Sequence, residues 1–125
     1  MAGLTLDSGA LIALEKKKRI VWAFLKEALF RQVPVTIPSI VLAQTWRKSP
    51  PRLAQVLKGA LVVDLDEGQA KRVGVLLGKA RTKDIVDAHV VLVAGDRRSI
   101  VLTSDKADLD RLASQVEKKP TIVAI

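Results

Sequence analysis

The chain has no cysteine, no tyrosine, a single histidine and only 3% aromatic residues among its 125 positions. Without cysteine it has no structural disulfides, no thiolate zinc sites and no cysteine nucleophile. That absence alone leaves its compartment open. Long apolar runs are missing too, since none approaches the ~18 residues of a membrane span. A basic leader is also lacking. Asp7 interrupts the first apolar run, which ends in the charged stretch EKKKR (15–19) rather than a small-residue cleavage site. A soluble, cytoplasmic protein with no membrane partner is therefore the expectation. Acids are in the minority, 13 against 21 Lys and Arg, for a net charge of +8.

What is present is apolar and basic. Hydrophobic residues make up 49% of the chain beside 27% charged ones, with a mean hydropathy of +0.22. Such a length and composition suit one domain, residues 1–125, with elements buried on both faces, as in a parallel sheet between helices. They also leave apolar surface over, so a homodimer or another lasting partner is expected. The positive balance, with a pI near 10.1, suits a polyanion and most simply nucleic acid. The plainer alternative is a basic, solvated surface.

Residues 3–6 (GLTL) read as a buried strand, and 8–14 (SGALIAL) as a helix with Ser8 a candidate cap. A helical period runs over 20–30, with Lys26 and Glu27 on one side. Residues 33–38 (VPVTIP) form a second strand bracketed by Pro34 and Pro38. Helices are predicted over 39–48, with Ser39 as cap, and over 50–59, opened by prolines and closed by Gly59. Residues 60–65 read as the third strand, and 66–80 as a helix opened by acids and interrupted by Gly74 and Gly78. The segment 84–94 (DIVDAHVVLVA) is apolar nearly all round and reads as a buried helix, although its β-branched residues leave a strand open. A fourth strand over 99–105, a helix over 106–116 and a last strand over 121–125 complete the pattern. The alternation predicts an α/β fold of three layers, with a mainly parallel central sheet of four to five strands.

Asp7 then ends the first strand and Asp105 the fourth. Ligands of open α/β sheets bind outside the carboxyl ends of strands, so the two acids would face one crevice. Asp84 and Asp87, three apart, share a face in the first turn of their helix. If that helix starts beside the crevice, four carboxylates converge, and they repel one another unless a divalent cation neutralises them. Oxygen ligands alone point to Mg²⁺ or Mn²⁺ rather than zinc. Each acid also has a plainer role. Asp7 suits the cap of the first helix, Asp84 a cap with Asp87 three residues on, and Asp105 a cap with Asp108 completing its box.

With these residues in place the chain resembles the PIN-domain family, and within it the VapC-type toxins of toxin–antitoxin pairs. LTLDSGALIALEKK is similar to the family's opening strand and aspartate, VTIPSIVLAQTWRK to its second block, DIVDAHVVLVA to its third and IVLTSDKADLDRLA to its fourth. The resemblance covers nearly the whole chain and implies a three-layer PIN-like fold. By position it makes Asp7, Asp87 and Asp105 the metal-binding acids, with Asp84 assisting, Thr103 and Ser104 as hydroxyl supports and Asp108 as an accessory acid. At the second acidic position the family usually carries Glu; here Gln44 stands in its place. Its amide oxygen still ligates a hard cation, but one negative charge is lost and metal affinity falls. The implied chemistry is hydrolysis of RNA phosphodiesters, with one or two Mg²⁺ or Mn²⁺ ions activating water and neutralising charge on the phosphate. The implied partner is a VapB-type antitoxin.

Other residues are less pointed. His89 suits a packed histidine better than a proton donor in the crevice. Two basic loops, Arg47, Lys48 and Arg52, then Lys79, Arg81 and Lys83, suit RNA phosphates or a solvated face alike. Trp22 and Trp46 read as core or interface anchors rather than base-stacking platforms. The rival readings are a PIN-like domain that binds RNA without cutting it, because of Gln44, and a phospho-receiver domain with Asp64 as acceptor. The receiver is disfavoured because LTLDSG offers one acid where a pair is needed.

Overall fold

The first apolar run becomes β1 (Leu4–Leu6), and the chain turns at once into α1 (Ser8–Glu15), followed by α2 (Arg19–Arg31). The computed structural model describes all of residues 1–125. In chain order there follow β2 (Val35–Pro38), α3 (Ser39–Thr45), α4 (Pro51–Leu57), β3 (Leu61–Val63), α5 (Glu67–Ala80), α6 (Ile85–Asp96), β4 (Ile100–Thr103), α7 (Lys106–Ala113) and β5 (Thr121–Ala124). The five strands form one sheet in the order β3-β2-β1-β4-β5, and every pairing is parallel. This is the predicted α/β class, with the sheet wholly parallel.

The layers follow from handedness. Parallel crossovers are right-handed almost without exception. The steps from β1 to β2 and from β2 to β3 run in one direction across the sheet, while those from β3 to β4 and from β4 to β5 run in the other. Helices α1–α4 therefore cover one face and α5–α7 the opposite one. The packing agrees, since α1 lies against α2, α3 and α4, and α6 against α5 and α7. A 23-residue apolar core fills both interfaces, with Leu4, Leu6, Ile37 and Leu102 from the sheet fully buried. No helix is long and apolar enough to cross a membrane.

The order reverses between β1 and β4, the point at which doubly wound sheets open a crevice. A receiver domain has the order 2-1-3-4-5, so the strand order counts against that reading. The segment 84–94 is helical: α6 sits beneath β1, β2 and β4, and residues Ala88–Gly95 are buried in an unbroken run. That burial explains why its apolar residues show no clean period. The helix predicted over 39–48 stops at Thr45. The Thr45 hydroxyl donates to the Val41 carbonyl at 3.0 Å, Trp46 is extended, and Lys48 and Ser49 take φ of +51° and +50° before Pro50. The third strand is trimmed to Leu61–Val63.

Candidate metal centre at the carboxyl end of the sheet

β1 and β4 are neighbours, with Leu6 paired to Leu102. The residues that follow, Asp7 on one side and Thr103 to Asp105 on the other, are thus delivered side by side at the switch point. Asp7 is 3% exposed, and its Oδ1 accepts from the Ala10 N–H at 2.8 Å, capping α1. Asp105 precedes α7, and its N–H donates to the Thr103 hydroxyl at 2.8 Å. Asp84 caps α6 through the Asp87 N–H, at 3.2 Å. Three helices therefore begin near one another, each preceded by an aspartate; Asp7 and Asp84 satisfy orphan N–H groups of α1 and α6, whereas the Asp105 side chain makes no cap bond to α7.

Carboxylate oxygens of Asp87, Asp105 and Asp108 lie within 4.8 Å of one another. Of the expected metal ligands, Asp87 and Asp105 are brought together directly. Asp7 stands behind them as the buried member and acts on the charge of both. Asp108, expected as an accessory acid, belongs to the tight triple. Its signal was the three-residue spacing from Asp105, which places both in the first turn of α7. Gln44 is exposed on the last turn of α3, a helix that packs on α1. None of the hydrogen bonds ties it to the aspartates.

The electrostatics are those of crowded anions. Burial, with the hydrogen-bonded Asp84 carboxyl and the charges of Asp84, Asp105 and Asp7, pushes Asp87 up to about 8. The Asp108 carboxyl, helped by burial and by Asp84 and Asp7, raises Asp105 above the usual carboxylate range. Burial raises Asp7 against the pull of the Thr103 hydroxyl and the Ala10 and Gly9 N–H groups. No lysine or arginine pairs with any of the five, as the ion pairs all lie elsewhere. Carboxylate oxygens this close, without a basic side chain among them, fit a hard divalent cation by donor type and by charge.

Gly9 permits the close approach of the two halves. A Cβ there would stand 1.9 Å from the Ser104 hydroxyl oxygen, so the start of α1 packs directly on the β4–α7 loop. His89 takes no part. It is fully buried on α6, its Nε2 meets Gln69 Oε1 of α5 at 3.1 Å, and burial holds its pKa below the ordinary value.

Comparison with solved structures agrees with this architecture. Over 98% of its length the chain superposes on 98% of a chain of VapBC2 from Rickettsia felis, solved with a DNA fragment from the promoter, with a TM-score of 0.70 and 14% identity. Its fold is PIN-like. FitAB bound to the IR36 DNA fragment matches over 97% of this chain and 94% of the other, at TM-score 0.68 and 15% identity. DNA-bound VapBC from Salmonella typhimurium matches over 99% and 98%, at TM-score 0.61 and 20% identity. No family model and no curated protein sequence matches the chain.

Proposed function

We propose that this PIN-like chain is the toxin of a VapBC-type pair, a cytoplasmic endoribonuclease that uses Mg²⁺ or Mn²⁺ to hydrolyse RNA phosphodiester bonds. The observation that carries it is the aspartate cluster at the switch point, with Asp87, Asp105 and Asp108 within 4.8 Å. VapBC and FitAB complexes as structural neighbours support a VapB-type antitoxin as partner. Leu29 and Phe30, 80% and 84% exposed on α2, suit a lasting protein interface, with a homodimer or with that antitoxin.

Asp87, Asp105 and Asp108 would hold the cation, with Asp7 and Asp84 adding negative charge. A divalent ion bound there supplies Lewis-acid activation of water and charge neutralisation at the phosphate. The protein's own part is positional. The caps of α1 and α6 fix Asp7 and Asp84, and the Thr103 hydroxyl, accepting from the Asp105 N–H, holds the backbone that carries Asp105. Arg81 and Lys83, exposed just before Asp84, offer cations to the RNA backbone.

A second reading is favoured by Gln44, whose neutral amide occupies the position where the family resemblance calls for Glu: RNA binding with little cleavage. One assay separates the two. RNA is incubated with Mn²⁺ and the wild-type chain, Gln44→Glu or Asp105→Asn. The nuclease reading expects cleavage by wild type, faster cleavage by Gln44→Glu and none by Asp105→Asn. Cleavage by Gln44→Glu alone makes this chain an RNA binder. No cleavage by either, with Mg²⁺ or Mn²⁺, refutes the nuclease.

A further inference from the structure

A second charged surface lies at the far end of α1 from Asp7. There a groove of about 490 Å³ is lined by Lys17, Arg19, Trp22, Ala23, Lys26 and Arg52. Four of these six are cations and none is acidic. The first turn of α2, which opens beside the groove, carries no acid either. Lys17, Arg19 and Lys26 make no ion pair. The walls are set by hydrogen bonds. Arg52 Nη1 donates to the Glu15 carbonyl and carboxylate, each at 3.2 Å, and the Trp22 indole N–H donates to the Leu14 carbonyl at 3.0 Å. Trp22 is thus anchored against the core, as expected, yet part of it lines the groove.

We infer that this groove binds a single-stranded stretch of the RNA substrate, with phosphates on Lys17, Arg19, Lys26 and Arg52 and a base against Trp22. The inference rests on the ribonuclease reading for its ligand and adds a second contact to it. Eight residues of α1 separate the groove from the Asp7 cap, about 12 Å along the helix axis. That distance keeps both regions within the few nucleotides that single-strand grooves span. Cations beside one aromatic ring, three of the four here without an acidic partner, are the usual means of holding a strand without reading its sequence. The groove's apolar surface, supplied by Trp22, Ala23 and the aliphatic stems of its lysines and arginines, is left to bases and sugars.

The test measures binding in EDTA, so that it does not depend on catalysis. The probe is a fluorescein-labelled oligouridylate of about 12 nucleotides, followed by fluorescence anisotropy. The Lys17→Gln/Arg19→Gln/Lys26→Gln variant is expected to weaken binding at least tenfold and to flatten the log–log salt slope by about 2. The charge-matched Lys58→Gln/Lys71→Gln/Lys118→Gln variant should stay within about twofold of wild type. In a Trp46→Phe background Trp22 is the remaining tryptophan, and saturating RNA should quench its fluorescence. Equal losses in the two triple variants, no quenching, or no RNA binding by wild type would each overturn the inference. So would a groove variant that keeps its RNA affinity but loses binding to poly-L-glutamate, which would assign the groove to an acidic protein. If wild type binds RNA through the groove yet never cuts it with Mn²⁺, the groove stands and the nuclease reading alone fails.

Discussion

The Thr103 hydroxyl accepts the Asp105 N–H at 2.8 Å, and the same hydroxyl favours the charged form of Asp7 across the β1–β4 seam. One buried side chain therefore links two acids that are far apart in sequence. Thr103→Val keeps the shape and removes both interactions. Asp7 should then become harder to ionise, and the Asp105 backbone should loosen. Support of this kind around metal ligands is typically worth ten- to a hundredfold in affinity. Mn²⁺ titration by calorimetry should show a loss of about that size for Thr103→Val and near-complete rescue for Thr103→Ser. Equal affinities in Val and wild type would mean that the hydroxyl serves the fold alone.

Gly9 sets the distance between the start of α1 and the β4–α7 loop. Adding a Cβ forces contact with Ser104, whose Oγ would be 1.9 Å away. Because Ser104 adjoins Asp105, the relief must displace the loop that carries the ligand. Gly9→Ala should cost about 1–3 kcal/mol in urea unfolding, the usual range for overpacking. It should also weaken Mn²⁺ binding. Gly9→Ala/Ser104→Gly removes the clashing hydroxymethyl group and should recover most of the Mn²⁺ affinity. A double variant no better than Gly9→Ala would place the strain elsewhere.

Thr5 and Ser99 share a buried hydrogen bond, Oγ1 to Oγ at 2.6 Å, below the site on the β1–β4 side of the sheet. The Ser99 hydroxyl also reaches the Ala94 carbonyl at 3.4 Å. The two halves of the pair are therefore not equivalent. Thr5→Val leaves Ser99 with a partner and should cost about 0.5–1.5 kcal/mol. Ser99→Ala strands a fully buried Thr5 hydroxyl and should cost about 1–3 kcal/mol. The double variant should fall short of the sum by at least about 0.5 kcal/mol in a denaturant cycle. Strict additivity would show that the bond contributes nothing to stability.

Much of this was legible locally. Apolar runs ending in an acid marked β1 and β4, and the prolines around 34–38 marked β2, because strand ends and caps leave residue-level signs. The nature of α6 was harder to read. A helix buried on every side loses its period, and its valines also suit a strand. For Asp7, which the sequence offers as cap or ligand, the structure shows the cap, Oδ1 accepting from the Ala10 N–H, and a charge felt by Asp87 and Asp105. Two features had no sequence signal at all. The strand order, which alone brings Asp7 beside Asp105, depends on which way each crossover turns. The basic groove depends on Arg52 of α4 folding back onto Glu15 of α1, 37 residues away.

The raised pKa of Asp87 makes metal-free stability fall with pH. Its carboxyl is held up to about 8 in the folded chain, chiefly by burial, against an ordinary value near 3.8. Below about pH 4 both states are protonated and the contribution is complete. Between about 4 and 8 the unfolded chain has lost the proton while the folded chain keeps it, so stability declines as pH rises. A cation favours the ionised form, and its stabilising effect should grow over the same range. Differential scanning fluorimetry in EDTA should therefore show Tm falling from pH 5.5 to about 8, and the Tm gain on adding Mn²⁺ should be larger at pH 8 than at pH 6. Asp84→Asn removes a neighbouring charge but keeps an oxygen to cap α6. It should move the EDTA decline to lower pH. A flat Tm in EDTA, with a Mn²⁺ gain that does not change with pH, would mean that Asp87 is already ionised at neutral pH and that the acids do not act as one coupled site.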